Sequence, residues 1–199
     1  MNELLILDWI QNHLRSAVGD QMMVLITSLG DRGFIWIALG LFLCIDKKHR
    51  KTGLEVLLAL ALEVTVCNLI LKPLIARPRP FEMASISLLI APPSGYSFPS
   101  GHTASSFAAA CVLLCVRRKS DRGELSRGKS GRSESSRGKS SRSESGHFAA
   151  LALAFMIAFS RMYLYVHYPT DVLGGIIVGA VCALLACMCI DRREKLYTL

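Results

Sequence analysis

Eight residues of this 199-residue sequence have the types and spacing to do chemistry: Lys72, Arg79, Ser100, Gly101, His102, Arg161, His167 and Asp171. They fall in three clusters. Lys72 is followed, after six residues, by Arg79-Pro80. Pro99-Ser100-Gly101-His102 forms the second cluster. Ser160-Arg161, then five residues to His167 and three to Asp171, forms the third. Lys72, Arg79 and Arg161 are cations at the ends of apolar runs, where an unpaired charge is costly. A multiply charged oxyanion would neutralise them, and arginine offers it planar, bidentate donors. Ser100-Gly101 opens a helix whose free N–H groups form an anion site. Gly101 lets the backbone approach closely. Together these groups describe a phosphate cradle.

The two histidines add reactivity. His167 and Asp171 are four apart around Pro169, and proline is tolerated in a first helical turn. If that turn holds both, Asp171 accepts from the imidazole and fixes its tautomer. The other nitrogen is then free to attack phosphorus. His102 comes from a different helix and could protonate a leaving oxygen from the opposite side. His13, His49 and His147 lack such company and read as ordinary interfacial side chains. All seven cysteines lie in apolar runs without the partners of a metal site, so neither zinc nor a disulfide is expected.

The elements that must position these groups are membrane spans. The hydrophobic fraction is 52%. The mean hydropathy is +0.40. Five segments, about 22–45, 53–72, 100–116, 147–166 and 169–190, approach the length a bilayer requires. The expected fold is therefore all-α: a polytopic transmembrane helical bundle of about five spans, forming one domain over residues 1–199. Leu4, Leu7, Ile10, Leu14 and Ala17 recur at helical spacing beside Trp9, which predicts an N-terminal amphipathic helix at the interface. With Glu3 and Asp8 in place of a basic region, this start does not read as a secretory signal.

Charge sets the expected orientation. Seventeen of the 23 Lys and Arg lie in the 46–52 loop, the 117–146 segment and the tail from Arg192. Those regions share one face of a five-span bundle, so that face is expected to be cytoplasmic. The N-terminus and all three clusters then lie outside a plasma membrane. The net charge of +8 is confined to loops without interleaved aromatics, which argues against nucleic acid. Within 117–146, the decapeptide Ser126–Ser135 recurs at Ser136–Ser145 with one change. Its polarity predicts a disordered cytoplasmic insert. Gly123, Gly128, Lys129 and Ser130 match a nucleotide-binding loop, but no strand precedes them and no apolar helix follows, so ATP is not expected. Arg32 and Glu63 lie at similar depth in adjacent spans and are expected to pair, with Asp31 as the alternative partner of Arg32.

The three clusters, complete and in order over residues 72–171, resemble the signature of the type 2 phosphatidic acid phosphatase superfamily. The resemblance implies His167 as nucleophile, Asp171 as its orienter and His102 as general acid. It implies Lys72, Arg79, Ser100, Gly101 and Arg161 as phosphate ligands, with no metal and no other cofactor. Arg77-Pro78 duplicates the composition of Arg79-Pro80, and the six-residue spacing selects Arg79. The expected activity is hydrolysis of a membrane lipid phosphate or diphosphate through a phosphohistidine. Undecaprenyl diphosphate is favoured, with phosphatidylglycerophosphate or phosphatidate next. A non-catalytic binding or transport protein for phosphate-bearing lipid is the alternative, and a vanadate-dependent haloperoxidase is a third reading.

Overall fold

The computed structural model describes residues 2–127 and 137–197, with side chains placed for 3–116 and 146–193. The described residues are helical and contain no strand. Helix α1 is Asn2–His13, α2 Ala17–Leu29, α3 Phe34–Ile45 and α4 Arg50–Val64. Short helices α5, Lys72–Ile75, and α6, Pro80–Met83, follow. The long helices α7, Gly101–Arg127, α8, Arg137–Tyr163, and α9, Pro169–Tyr197, complete the chain. Helix thus continues into both ends of the segment expected to be disordered. Its middle, 128–136, lies outside the described residues.

Arg50–Met83, Gly146–Tyr163 and Pro169–Arg193 are long and apolar enough to cross a membrane. Ala17–Leu29 and Asp31–Ile45 make a fourth candidate, bent by 40° at a break, and Gly101–Val116 is a shorter apolar helix. The chain is a multi-pass membrane protein with an all-helical transmembrane fold.

Helix α7 is the axis of the bundle, packed against α4, α8 and α9. Ala104, Ala108, Ala109 and Ala110 are fully buried on it. Gly175 and Gly179 of α9 face it, four apart as in a small-residue helix-packing motif. A β-carbon on Gly179 would lie 2.4 Å from the Ala104 carbonyl oxygen, and one on Gly175 2.7 Å from that of Ser100. Only glycine permits this approach. The buried Trp36 indole of α3 donates to Ser106 Oγ of α7 at 2.9 Å. Large apolar side chains such as Phe42, Ile45, Leu69, Leu74 and Ile177 are exposed, as lipid-facing positions must be.

Three sequence expectations need correction. The first span is not one straight helix. A 3₁₀ turn, Asp31–Gly33, divides α2 from α3. Arg32 has φ +50° and Gly33 φ +69°, and a right-handed helix cannot continue through two left-handed residues. The pairing of Arg32 with Glu63 therefore fails. Arg32 is exposed at the break, whereas Glu63 is 2% exposed inside α4. No ion pair joins Arg32 to Glu63 or to Asp31, whose carboxylate is taken by His102. Third, α1 turns the expected lipid-facing stripe partly towards protein. Leu7 and Ile10 are buried against Tyr165 and Tyr163, and Leu5, Ile6 and Trp9 are left exposed. The reason is polar: Gln11 Nε2 donates to the Tyr163 carbonyl at 2.6 Å, and Tyr165 Oη donates to Asp8 at 2.7 Å.

Candidate active site

The site is assembled from four helix ends. The second span arrives through a π-helical stretch, Thr65–Leu71, directly before Lys72. Pro73 has no N–H to return to the preceding turn, and such widened turns recur at functional sites. Asn68, on that stretch, accepts from Lys72 Nζ at 2.8 Å. The ammonium thus reaches the start of α7, where a β-carbon on Gly101 would lie 3.8 Å from it. Ala76, at φ +48°, ends α5 and turns the chain towards Arg77 and Arg79.

Arg79 is 3% exposed. Its Nε donates to the Gly95 carbonyl at 2.8 Å and its Nη2 to that of Ser94 at 3.2 Å. Nη1 donates to the Val166 carbonyl at 3.1 Å and lies 3.3 Å from His167 Nε2. Arg161, 2% exposed, donates through Nη1 to Thr27 Oγ1, but its buried Nε has no partner among the described residues. A buried guanidinium with an idle donor fits an oxyanion. Ser100 is buried; its Oγ accepts from Thr103 at 2.9 Å, and its N–H donates to the Asp171 carbonyl at 3.0 Å.

His167 is 2% exposed, in the loop between α8 and α9. Its Nδ1 lies 3.5 Å from Asp171 Oδ2, longer than a well-formed hydrogen bond. Nε2 faces the Arg79 donor and is therefore the unprotonated nitrogen. Burial foremost, with Arg161 and Arg79 adding positive charge against the pull of Asp171, lowers its pKa to about 3. The imidazole is neutral at physiological pH and keeps a lone pair on Nε2.

The eight expected residues thus gather at one end of the bundle. Sequence reasoning missed their supports. Asp171 is gripped by Ser97 Oγ, by the Tyr168 N–H at 2.9 Å and by Arg77 Nη1 at 2.7 Å. Arg77, set aside by spacing, also pairs with Glu3 at 2.7 Å and stacks 3.9 Å from the centre of the Tyr168 ring. Burial pulls the Glu3 pKa up, but hydrogen bonds from Thr170 and Arg77 outweigh it and hold it below its ordinary value. His102 Nε2 lies 2.9 Å from Asp31 Oδ1. Only Asp31 carried a signal, as a carboxylate inside an apolar run. Among the described residues no group of three or more His, Cys, Asp or Glu is placed to hold a metal.

The pattern of the PAP2 superfamily matches residues 52–195. The chain belongs to this superfamily. The match takes in all three clusters. The chain is similar to an undecaprenyl-diphosphatase of Sulfolobus acidocaldarius, at 26% identity over 85% of this chain and 69% of that one. It is 29% identical to a lipid A 4'-phosphatase of Bacteroides thetaiotaomicron over 73% of this chain, spanning 60% of that relative's length. Its fold is that of a solved transmembrane PAP2-type phosphatidylglycerolphosphate phosphatase from Bacillus subtilis. The TM-score is 0.72 at 23% identity, covering 96% of this chain and 85% of that one. These relatives are named for different lipid phosphates.

Proposed function

We propose that this protein is a lipid phosphate phosphatase that works through a phosphohistidine, with undecaprenyl diphosphate as the favoured substrate. Membership of a lipid phosphatase family supports the class. One observation supports the mechanism: the buried His167 Nε2 lies 3.3 Å from Arg79 Nη1, where a lone pair can meet a phosphate held by the guanidinium. The phosphate occupies the space bounded by Arg79, Arg161, Lys72 and the N-terminus of α7. Arg161 Nε gains the partner it lacks, and the Gly101 N–H joins it on the developing oxyanion charge.

His167 Nε2 forms a bond to phosphorus as the bond from phosphorus to the leaving oxygen breaks. His102 enters this step protonated on both ring nitrogens, with Asp31 accepting from Nε2–H, and delivers the Nδ1 proton to that oxygen. Asp171 keeps the Nδ1 proton in place while the ring carries positive charge. Water then attacks phosphorus, His102 takes its proton, and orthophosphate leaves with His167 restored. The leaving group is a lipid alcohol or a lipid monophosphate. The site faces the extracytoplasmic side of the plasma membrane, so the substrate headgroup reaches it from the outer leaflet.

The test is phosphate release by detergent-purified protein in EDTA. Undecaprenyl diphosphate, phosphatidate and phosphatidylglycerophosphate are each offered to the wild type and to His167→Ala. EDTA-resistant release that falls at least about 10³-fold in the variant is expected. Release unchanged in His167→Ala removes the nucleophile assignment. No release from any lipid moves the non-catalytic binding or transport reading to the front.

A further inference from the structure

A cavity of about 360 Å³ adjoins the cradle and extends away from it between α3, α4 and α7. Its polar side chains are those of Arg32, Glu63, Asn68, Lys72, His102 and Ser105, and Gly101 lines it too. Arg79, Arg161 and His167 are not among its walls. It therefore begins at the Lys72–His102 edge of the cradle, on the side where the proposed general acid meets the leaving oxygen. A leaving group that departs from phosphorus on the His102 side has this cavity open to it.

Arg32 is the unusual member. It holds φ +50° and ψ +15°, a left-handed conformation that an arginine rarely adopts. Such outliers cluster at ligand sites. The strain lies in the turn that brings Arg32 to the cavity. Among the described residues it makes no ion pair and no hydrogen bond. The neighbouring carboxylates do not neutralise it: Asp31 holds His102, and Glu63 is buried against Cys67. The cradle already sets three cations against one phosphate. A further free arginine in the leaving-group space has no partner in a lipid monophosphate.

We infer that Arg32 binds the inner phosphate of a lipid diphosphate and is the residue that makes this site prefer diphosphates over monophosphates. This rests on the phosphatase reading above and narrows it. In a diphosphate substrate the terminal phosphate occupies the cradle and the inner phosphate is the leaving group. Arg32 and Lys72 then neutralise the charge that builds on that phosphate as the bridging bond breaks.

Farnesyl diphosphate and farnesyl monophosphate are a matched pair of probes. Each is offered to the wild type, Arg32→Asn and Arg32→Lys. Asparagine suits the left-handed region and removes the charge, so folding is spared; lysine keeps the charge. Arg32→Asn is expected to lose about 10- to 100-fold in kcat/KM on the diphosphate and less than about threefold on the monophosphate. Arg32→Lys should retain most of the preference. Equal losses on both lipids, no loss on either, or a wild type that favours the monophosphate would overturn the assignment.

A second readout separates this from the activity itself. Inorganic pyrophosphate should raise the Tm of the wild type more than orthophosphate does, and Arg32→Asn should lose that difference. If the wild type cleaves neither lipid, the phosphatase reading falls, and the pyrophosphate difference still decides the role of Arg32. Its absence in the wild type, or its survival in Arg32→Asn, counts against the inference.

Discussion

Burial holds His167 neutral, and burial carries a cost that pH exposes. In the folded chain its pKa is lowered to about 3, whereas an unfolded histidine titrates near 6.5. Between those values the unfolded chain binds the extra proton and the folded chain does not. Stability linked to His167 is therefore whole above pH 6.5 and is lost as pH falls towards 3. The Tm of the wild type in detergent should fall through this window. His167→Gln, which cannot take the proton, should flatten the fall. Equal slopes in the two proteins would mean that His167 is not held neutral by its surroundings. The residues of this site were legible because each carries chemistry that an apolar run does not otherwise contain. Their supports were not. Ser97 grips Asp171 across 74 positions and Glu3 reaches Arg77 across an equal separation, and local spacing holds no trace of such contacts. Arg77 shows the limit from the other side: spacing separated it from Arg79 as a phosphate ligand, but only the fold gives it the back of Asp171.

At the scale of elements, the precision of the cradle depends on how closely α7 and α9 approach. Ser100, Gly101 and His102 enter at the N-terminus of α7, and Asp171 at that of α9. The seam below them is glycine against backbone. A β-carbon on Gly179 would meet the Ala104 carbonyl at 2.4 Å and the Ala108 nitrogen at 2.9 Å, neither of which can rotate away. Gly179→Ala should therefore separate the helices, cost about 1–3 kcal/mol and lower activity by misplacing His102. Gly146→Ala is the control, because nothing lies within 4 Å of a β-carbon there. A Gly179→Ala protein with unchanged Tm and turnover would show that the seam has slack. Hydropathy revealed these helices, since apolar length is a property of the segment alone. It did not reveal the break at Gly30–Gly33, because four residues between two apolar stretches barely lower the average. Nor could it say that α1 is tied down at Asp8 and Gln11, which depends on what the 163–170 loop presents.

Among the described residues, the basic 46–52 loop lies at one end of the bundle and the candidate site at the other. Lys51, in the basic 46–52 loop, pairs with Asp191 at 2.9 Å, so that loop and the end of α9 lie together. Lys72 and Asp171 sit at the far ends of the same two spans. The positive-inside rule predicts a cytoplasmic Lys51 end and a cradle that opens to the outside. A fluorescent reporter fused after Leu199 should fold and light up, and an alkaline phosphatase fused at the same point should stay inactive for want of export. The reverse pair of results would turn the molecule over and put the cradle in the cytoplasm. The distinction reaches the chemistry. A cradle outside meets headgroups only after they have crossed the bilayer, so its product must be carried back before reuse. A cradle inside would need no such return.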